Sequence, residues 1–311
     1  MLNDAIVILV VGAAALLLPL SSAYRSRLRR KLTRQAEATV PPEQEAALET
    51  RVTRRARAMG AGILLAGVAA LLLSGLWDGA DQASGGFFVL SIMFVAGAAG
   101  LALADIWWPG TTTDGPRTAR ATSPTAEDYL PPQSRRAAHL FAWSGLVALT
   151  TTLLLSRSEW FDAATVLHSP VPLLAVAIPV LLLLSWLATR RVLAAPQPAR
   201  DEAELYWQDA VRAQTLTSLS VAAPFVGLFA LVICGSVLDD AASTAAVAAG
   251  QVGPAWSLWL LIAGYVLPFA LVLGVAAVAT TRNGQWNEMR HYRERLWGGQ
   301  PPRAEVERVR A

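Results

Sequence analysis

Residues 51–81 read RVTRRARAMGAGILLAGVAALLLSGLWDGAD. Four arginines, Arg51, Arg54, Arg55 and Arg57, stand at one edge, and Asp78 and Asp81 stand at the other. Between them, residues 58–77 are uncharged and mostly apolar. A helix rises about 1.5 Å per residue, so a run of this length covers the roughly 30 Å of hydrocarbon in a bilayer. The flanking charges add a direction, because Arg and Lys collect on the cytoplasmic side of a span. The stretch therefore reads as a membrane-spanning helix with a cytoplasmic start.

The same alternation continues in both directions. Seven apolar stretches are long enough to span: about 5–23, 59–77, 87–108, 138–156, 171–189, 215–238 and 255–281. Composition agrees, since 54% of the 311 residues are hydrophobic and only 16% are charged, against roughly a quarter charged in soluble domains. The mean hydropathy is +0.41. The expected fold is an all-α polytopic membrane helix bundle of about seven transmembrane helices over residues 1–281. Residues 24–58 form a basic, helical cytoplasmic connection and 282–311 an amphipathic cytoplasmic tail.

With the N-terminus outside and the C-terminus inside, segments 24–58, 109–137, 190–214 and 282–311 place 25 of the 26 basic residues on the inner side and leave only Arg157 outside. The acids divide differently, 16 inside and 7 outside. The basic balance thus reflects topology. It implies anionic headgroups at the inner face as a partner and gives no argument for nucleic acid. Ser21 and Ala23 would suit a signal peptidase, but the MLND start lacks basic residues and Arg25, Arg27, Arg29, Arg30 and Lys31 follow at once, so a retained first helix is expected. Lys31 is the only lysine. Such Arg- and Ala-rich usage points to a high-GC bacterial genome and hence a bacterial plasma membrane.

After the first helix, three helix pairs begin near residues 58, 137 and 215. This spacing invites an arrangement of one helix plus three hairpins. The outer ends 71–81, 153–165 and 232–244 share an apolar run, a serine and an acid, although any helix leaving a membrane can end that way. Residues 43–58 read as a helix that runs into the second span and 200–213 as another helix, 109–134 as a flexible Pro/Gly/Thr-rich loop. In the tail, Trp286, Met289, Tyr292, Arg293 and Trp297 recur at helical spacing, which suits either an interfacial helix or packing against the bundle.

Cys234 is the only cysteine and His139, His168 and His291 the only histidines, so an intrachain disulfide is excluded, and neither a histidine-rich metal site nor a cofactor is expected. No P-loop or GxSxG motif occurs. The residues singled out are Asp105, just before Trp107 and Trp108, and His139, both read as inner-face polar candidates. Pro179, Pro224 and Pro268 are mid-span kinks that would mark a cavity in the last three helices. Small residues spaced by four, including Gly62, Ala66 and Ala70, then Ala96, Gly100 and Ala104, then Ser144, Ala148 and Thr152, permit close helix contact. The acids Asp78, Asp81, Glu159, Asp162, Asp239 and Asp240 make the outer side acidic without the dense spacing of a cation site. Three functions fit these residues: a non-catalytic membrane subunit working with a cytoplasmic or membrane partner protein, a stand-alone carrier of an apolar or weakly polar solute, and an enzyme acting on lipid-linked substrates.

Overall fold

A computed structural model of the chain describes residues 2–37, 42–73, 85–108, 124–197, 199, 201–281 and 288–301. Among them every regular element is helical. The order is α1 (Leu2–Leu17), α2 (Ser22–Ala36), α3 (Pro42–Leu73), α4 (Gly85–Trp107), α5 (Ala126–Tyr129), α6 (Pro132–Leu155), α7 (Ala163–Leu167), α8 (Val171–Ala194), α9 (Glu202–Ala248), α10 (Ser257–Thr281) and α11 (Glu288–Trp297). Seven of these, α1, α3, α4, α6, α8, α9 and α10, are long and apolar enough to cross a membrane. The fold is that of a multi-pass membrane protein.

Two helical connections run straight into the spans that follow them, the first as expected. The acidic and basic stretch 43–58 continues into the second span as the single 32-residue α3, and 200–213 continues into the sixth span as the 47-residue α9. Asp201 starts α9 by accepting the Glu204 backbone N–H at 2.7 Å, the usual service of an N-cap aspartate. The first span ends earlier than residue 23: α1 stops at Leu17, Pro19 is buried in a 3-10 turn over Leu18–Leu20, and α2 starts at Ser22. Proline supplies no N–H to continue the ladder. Of the expected loop 109–134, residues 109–123 lie outside the described residues. Residues 126–129 form α5, closed by a reciprocal Thr125–Asp128 capping box, and α6 starts at Pro132.

The helices are not equivalent. The apolar stretch of α9 is 78% buried within the protein, whereas the other six range from 11% for α10 to 28%. Backbones approach closely where side chains are absent. A Cβ on Gly227 of α9 would meet the Phe141 carbonyl of α6, and one on Gly145 of α6 would meet Gly227 itself. Gly235 of α9 and Gly264 of α10 stand in the same relation, with a Cβ on Gly264 meeting the Gly235 Cα at 2.9 Å. In lipid, where no water is left to be expelled, such close packing is a main source of cohesion. Gly62 and Gly100 set α3 against α4, while Gly12 and Gly60 set α1 against α3. The α3–α4 and α9–α10 pairs thus pack closely. By contrast α6 packs chiefly on α9, and α8 shares itself between α4 and α9, so chain neighbours α6 and α8 form the loosest of the three expected hairpins.

Beyond the apolar part of α9, at the arginine-rich end, a second core forms. Leu32 and Ala36 of α2, Leu48 of α3, Tyr129 of α5, Val192 of α8, Tyr206, Trp207 and Leu216 of α9, and Tyr292 of α11 pack together as a cap. Tyr129, Tyr206, Trp207 and Tyr292 are at most 2% exposed. At about 150–250 Å² each and ~25 cal/mol per Å², each contributes at most about 4–6 kcal/mol.

Candidate functional site

Among the described residues, the buried charged side chains, Asp105, Asp209, Arg212 and Arg293, all lie at the arginine-rich end. On α3, Arg51 and Arg55 are four residues apart and share a face, which turns toward α4 and α9. Arg55 Nη2 lies 3.2 Å from Asp105 Oδ2, in an ion pair whose angle makes no hydrogen bond. Asp105 is 1% exposed. From α9, the Thr215 hydroxyl accepts from Arg51 Nη2 at 3.2 Å and from Arg55 Nη1 at 3.1 Å, and donates to the Val211 carbonyl at 2.8 Å. One carboxylate and one hydroxyl therefore face two guanidiniums, and both guanidiniums leave a buried Nε unpaired. A third cation stands close by: Arg54 lies over the Trp108 ring at 5.0 Å. Burying an ion costs several kcal/mol unless it is paired, so the Asp105–Arg55 contact ties α3 to α4 while Thr215 ties both arginines to α9.

Nearly two turns before Thr215 on α9, further into the cap, lies Asp209, fully buried. Its Oδ1 accepts from the Tyr129 hydroxyl at 2.8 Å and from Gln197 Nε2 at 3.0 Å, and its Oδ2 accepts from Trp297 Nε1 at 2.9 Å. Four segments of the chain, α5, the stretch after α8, α9 and α11, converge on this carboxylate. Arg212, three residues on, donates to the Ala195 carbonyl at 2.7 Å. Burial, and then the Asp209 charge, push the Tyr129 phenol well above its ordinary value. Tyr206 donates to the Ala36 carbonyl at 2.7 Å and its ring meets Tyr292 and Trp297 at 5.9 and 5.3 Å. Arg293 forms an ion pair with Glu37 and donates to Glu37 Oε1 at 2.9 Å; this hydrogen bond holds the Glu37 carboxyl below its ordinary range. Glu37 ends α2 with a left-handed φ of 53°, an uncommon conformation for a residue with a Cβ. The tail's aromatic stripe thus faces the bundle, with Tyr292 buried against α9; Trp286 lies outside the described residues.

The residues singled out from sequence are dispersed. Asp105 joins the arginine cluster, whereas His139 is exposed on α6. Pro224 of α9 and Pro268 of α10 are buried, while Pro179 of α8 is exposed; the three do not line one site. At the acidic end, Asp162 caps α7 by accepting the Thr165 hydroxyl and N–H, both at 2.7 Å, and these bonds lower its carboxyl. Asp239 accepts the Ser257 hydroxyl at 2.6 Å. Asp78 and Asp81 lie outside the described residues. Among the described residues no three His, Cys, Asp or Glu side chains converge as metal ligands would. Sequence reasoning missed Arg51, Arg55, Thr215, Tyr129 and Asp209; only the four-residue spacing of Arg51 and Arg55 near the start of an apolar run signals an inward-facing pair.

No protein-family model matches the chain, and neither does any curated protein or solved structure.

Proposed function

We propose that the protein is a non-catalytic membrane subunit, permease-like or accessory, of a transport or other membrane complex in a bacterial plasma membrane. Its N-terminus lies outside and its arginine-rich cap and C-terminus lie in the cytoplasm, where the cap receives a partner protein. The observation that supports this reading is α9. One unbroken helix is both the most buried element of the bundle and the spine of the cap, so a load applied to the cap reaches the membrane core without crossing a flexible joint. The segments that join spans are also more organised than connection requires. Residues from α2, α5, α9 and α11 pack around an aromatic core, and α5 and α11 close on Asp209 of α9, giving a partner a fixed surface. Asp105, the best acid for a catalytic reading, is spent on Arg55.

Purification of the full chain in mild detergent should retain a stoichiometric partner, and Trp297→Ala, which loosens α11 from Asp209, should lose that partner while the bundle stays monodisperse. A wild-type protein that purifies alone would sink the reading. For the orientation, a reporter active only in the cytosol and fused after Ala311 should be active; a silent one reverses the topology.

A further inference from the structure

We infer that the groove between α2 and α3 is a binding site for the phosphate of an anionic lipid headgroup. The second half of α3 divides its arginines between two faces. Arg51 and Arg55 turn inward to Thr215 and Asp105, while Arg54 and Arg57 turn to an open groove of about 470 Å³ that Arg25, Glu49, Thr50 and Thr53 also line. The groove's one carboxylate, Glu49, is taken by Arg25 at 2.6 Å. Among the described residues neither Arg54 nor Arg57 has a carboxylate partner. Arg25 Nε and Thr53 Oγ1, on the same walls, have no hydrogen-bond partner either. Three guanidiniums against one carboxylate leave an excess of positive charge, and guanidinium donors match phosphate oxygens in number and geometry.

Position selects the source of the phosphate. The groove lies where two membrane boundaries meet: α1 has just ended at Leu17 and the apolar part of α3 begins at residue 58. Arg54 reaches Trp108 at 5.0 Å, and Trp107 and Trp108 are 67% and 50% exposed, as in the aromatic belt at headgroup level. Leu17, Leu18 and Leu20, at least 50% exposed, offer acyl chains a surface beside it. A headgroup held here engages both chains and phosphate, which a free anion cannot do. This site does not depend on the partner reading above, and the two fail independently.

The test measures the unfolding midpoint of delipidated protein in micelles. Added phosphatidylglycerol should raise it by about 5 °C at saturation, whereas phosphatidylcholine, inorganic phosphate and glycerol phosphate should not. The Arg54→Gln/Arg57→Gln variant should lose most of that shift, and Arg27→Gln/Arg30→Gln, on the exposed face of α2, should keep it. Equal loss in both variants means diffuse surface charge and overturns the site, as does an equal shift from soluble phosphate or the absence of any preference for phosphatidylglycerol. Native mass spectrometry of the wild type needs no variant: one phosphatidylglycerol should be retained at collision energies that strip the rest, and a smooth ladder of adducts down to the bare protein overturns the proposal even if the variants fail to fold.

Discussion

Asp209 and Asp105 are two buried carboxylates at the same end of one bundle, and they are satisfied in opposite ways. Asp209 collects three donors from three separate segments, so removing it orphans groups throughout the cap. Asp105 meets a single guanidinium without hydrogen-bond geometry, in company with more cations than it can neutralise. The first is a fastening whose role is spent once its donors are in place. The second is a junction between three helices whose positive charge is only partly balanced. A buried acid alone therefore marks no function; the number and aim of its donors decide what it does.

The largest expected effect breaks the comparison at its stronger member. Asp209→Ala leaves the Tyr129 hydroxyl, the Gln197 amide and the Trp297 indole without their acceptor and should cost about 3–5 kcal/mol, read by denaturant unfolding in micelles with tryptophan emission reporting on the cap. A cost under about 1 kcal/mol would show that Asp209 is no hub. Next comes Asp105→Asn, expected to cost about 2 kcal/mol because Arg55 keeps Thr215 and, at 15% side-chain exposure, some access to water. Adding Arg55→Gln should recover part of that loss, and strictly additive costs in the double-mutant cycle would show that the two residues do not interact. Tyr129→Phe removes one donor of three and should cost about 1 kcal/mol.

The smallest effect is pH dependence through Glu37. Its folded carboxyl titrates below its ordinary range because of Arg293, so its contribution is present at neutral pH. It should fade as pH falls below about 4.5, the ordinary value, and through the depressed one. Glu37 is 63% exposed, so screening holds the effect to well under about 1 kcal/mol. Arg293→Gln should flatten this acid limb, and an unchanged limb would assign the dependence to other carboxylates.

The spans and the continuity of α3 were legible because both rest on local signals: apolar run length, an acidic start and basic residues where the helix meets the membrane. The centrality of α9 was not. Its apolar stretch is no more apolar than those of α8 or α10, and hydropathy scores lipid-facing and protein-facing helices alike. What distinguishes α9 is where its small residues meet partners, Gly227 against α6 and Gly235 against α10, and those partners lie on other helices. Asp105 was legible as an acid near the end of a span. Its surroundings were not, since Arg55 and Thr215 are 50 and 110 positions away along the chain. Asp209 sat in a stretch read correctly as helical, yet nothing local told that Trp297, 88 residues later, would reach it.

The placement of α9 also orders the birth of the molecule. Synthesised from the N-terminus, α1, α3 and α4 can close on one another through Gly12, Gly60, Gly62 and Gly100 while the ribosome is still making the rest. The helix α6 enters the membrane with its main packing partner still untranslated, α8 finds only its α4 side, and a chain arrested before residue 202 leaves both without the spine they share. The hydrophobic core of the second half is therefore assembled late and all at once, and truncated products should be cleared by membrane proteolysis far faster than full-length protein.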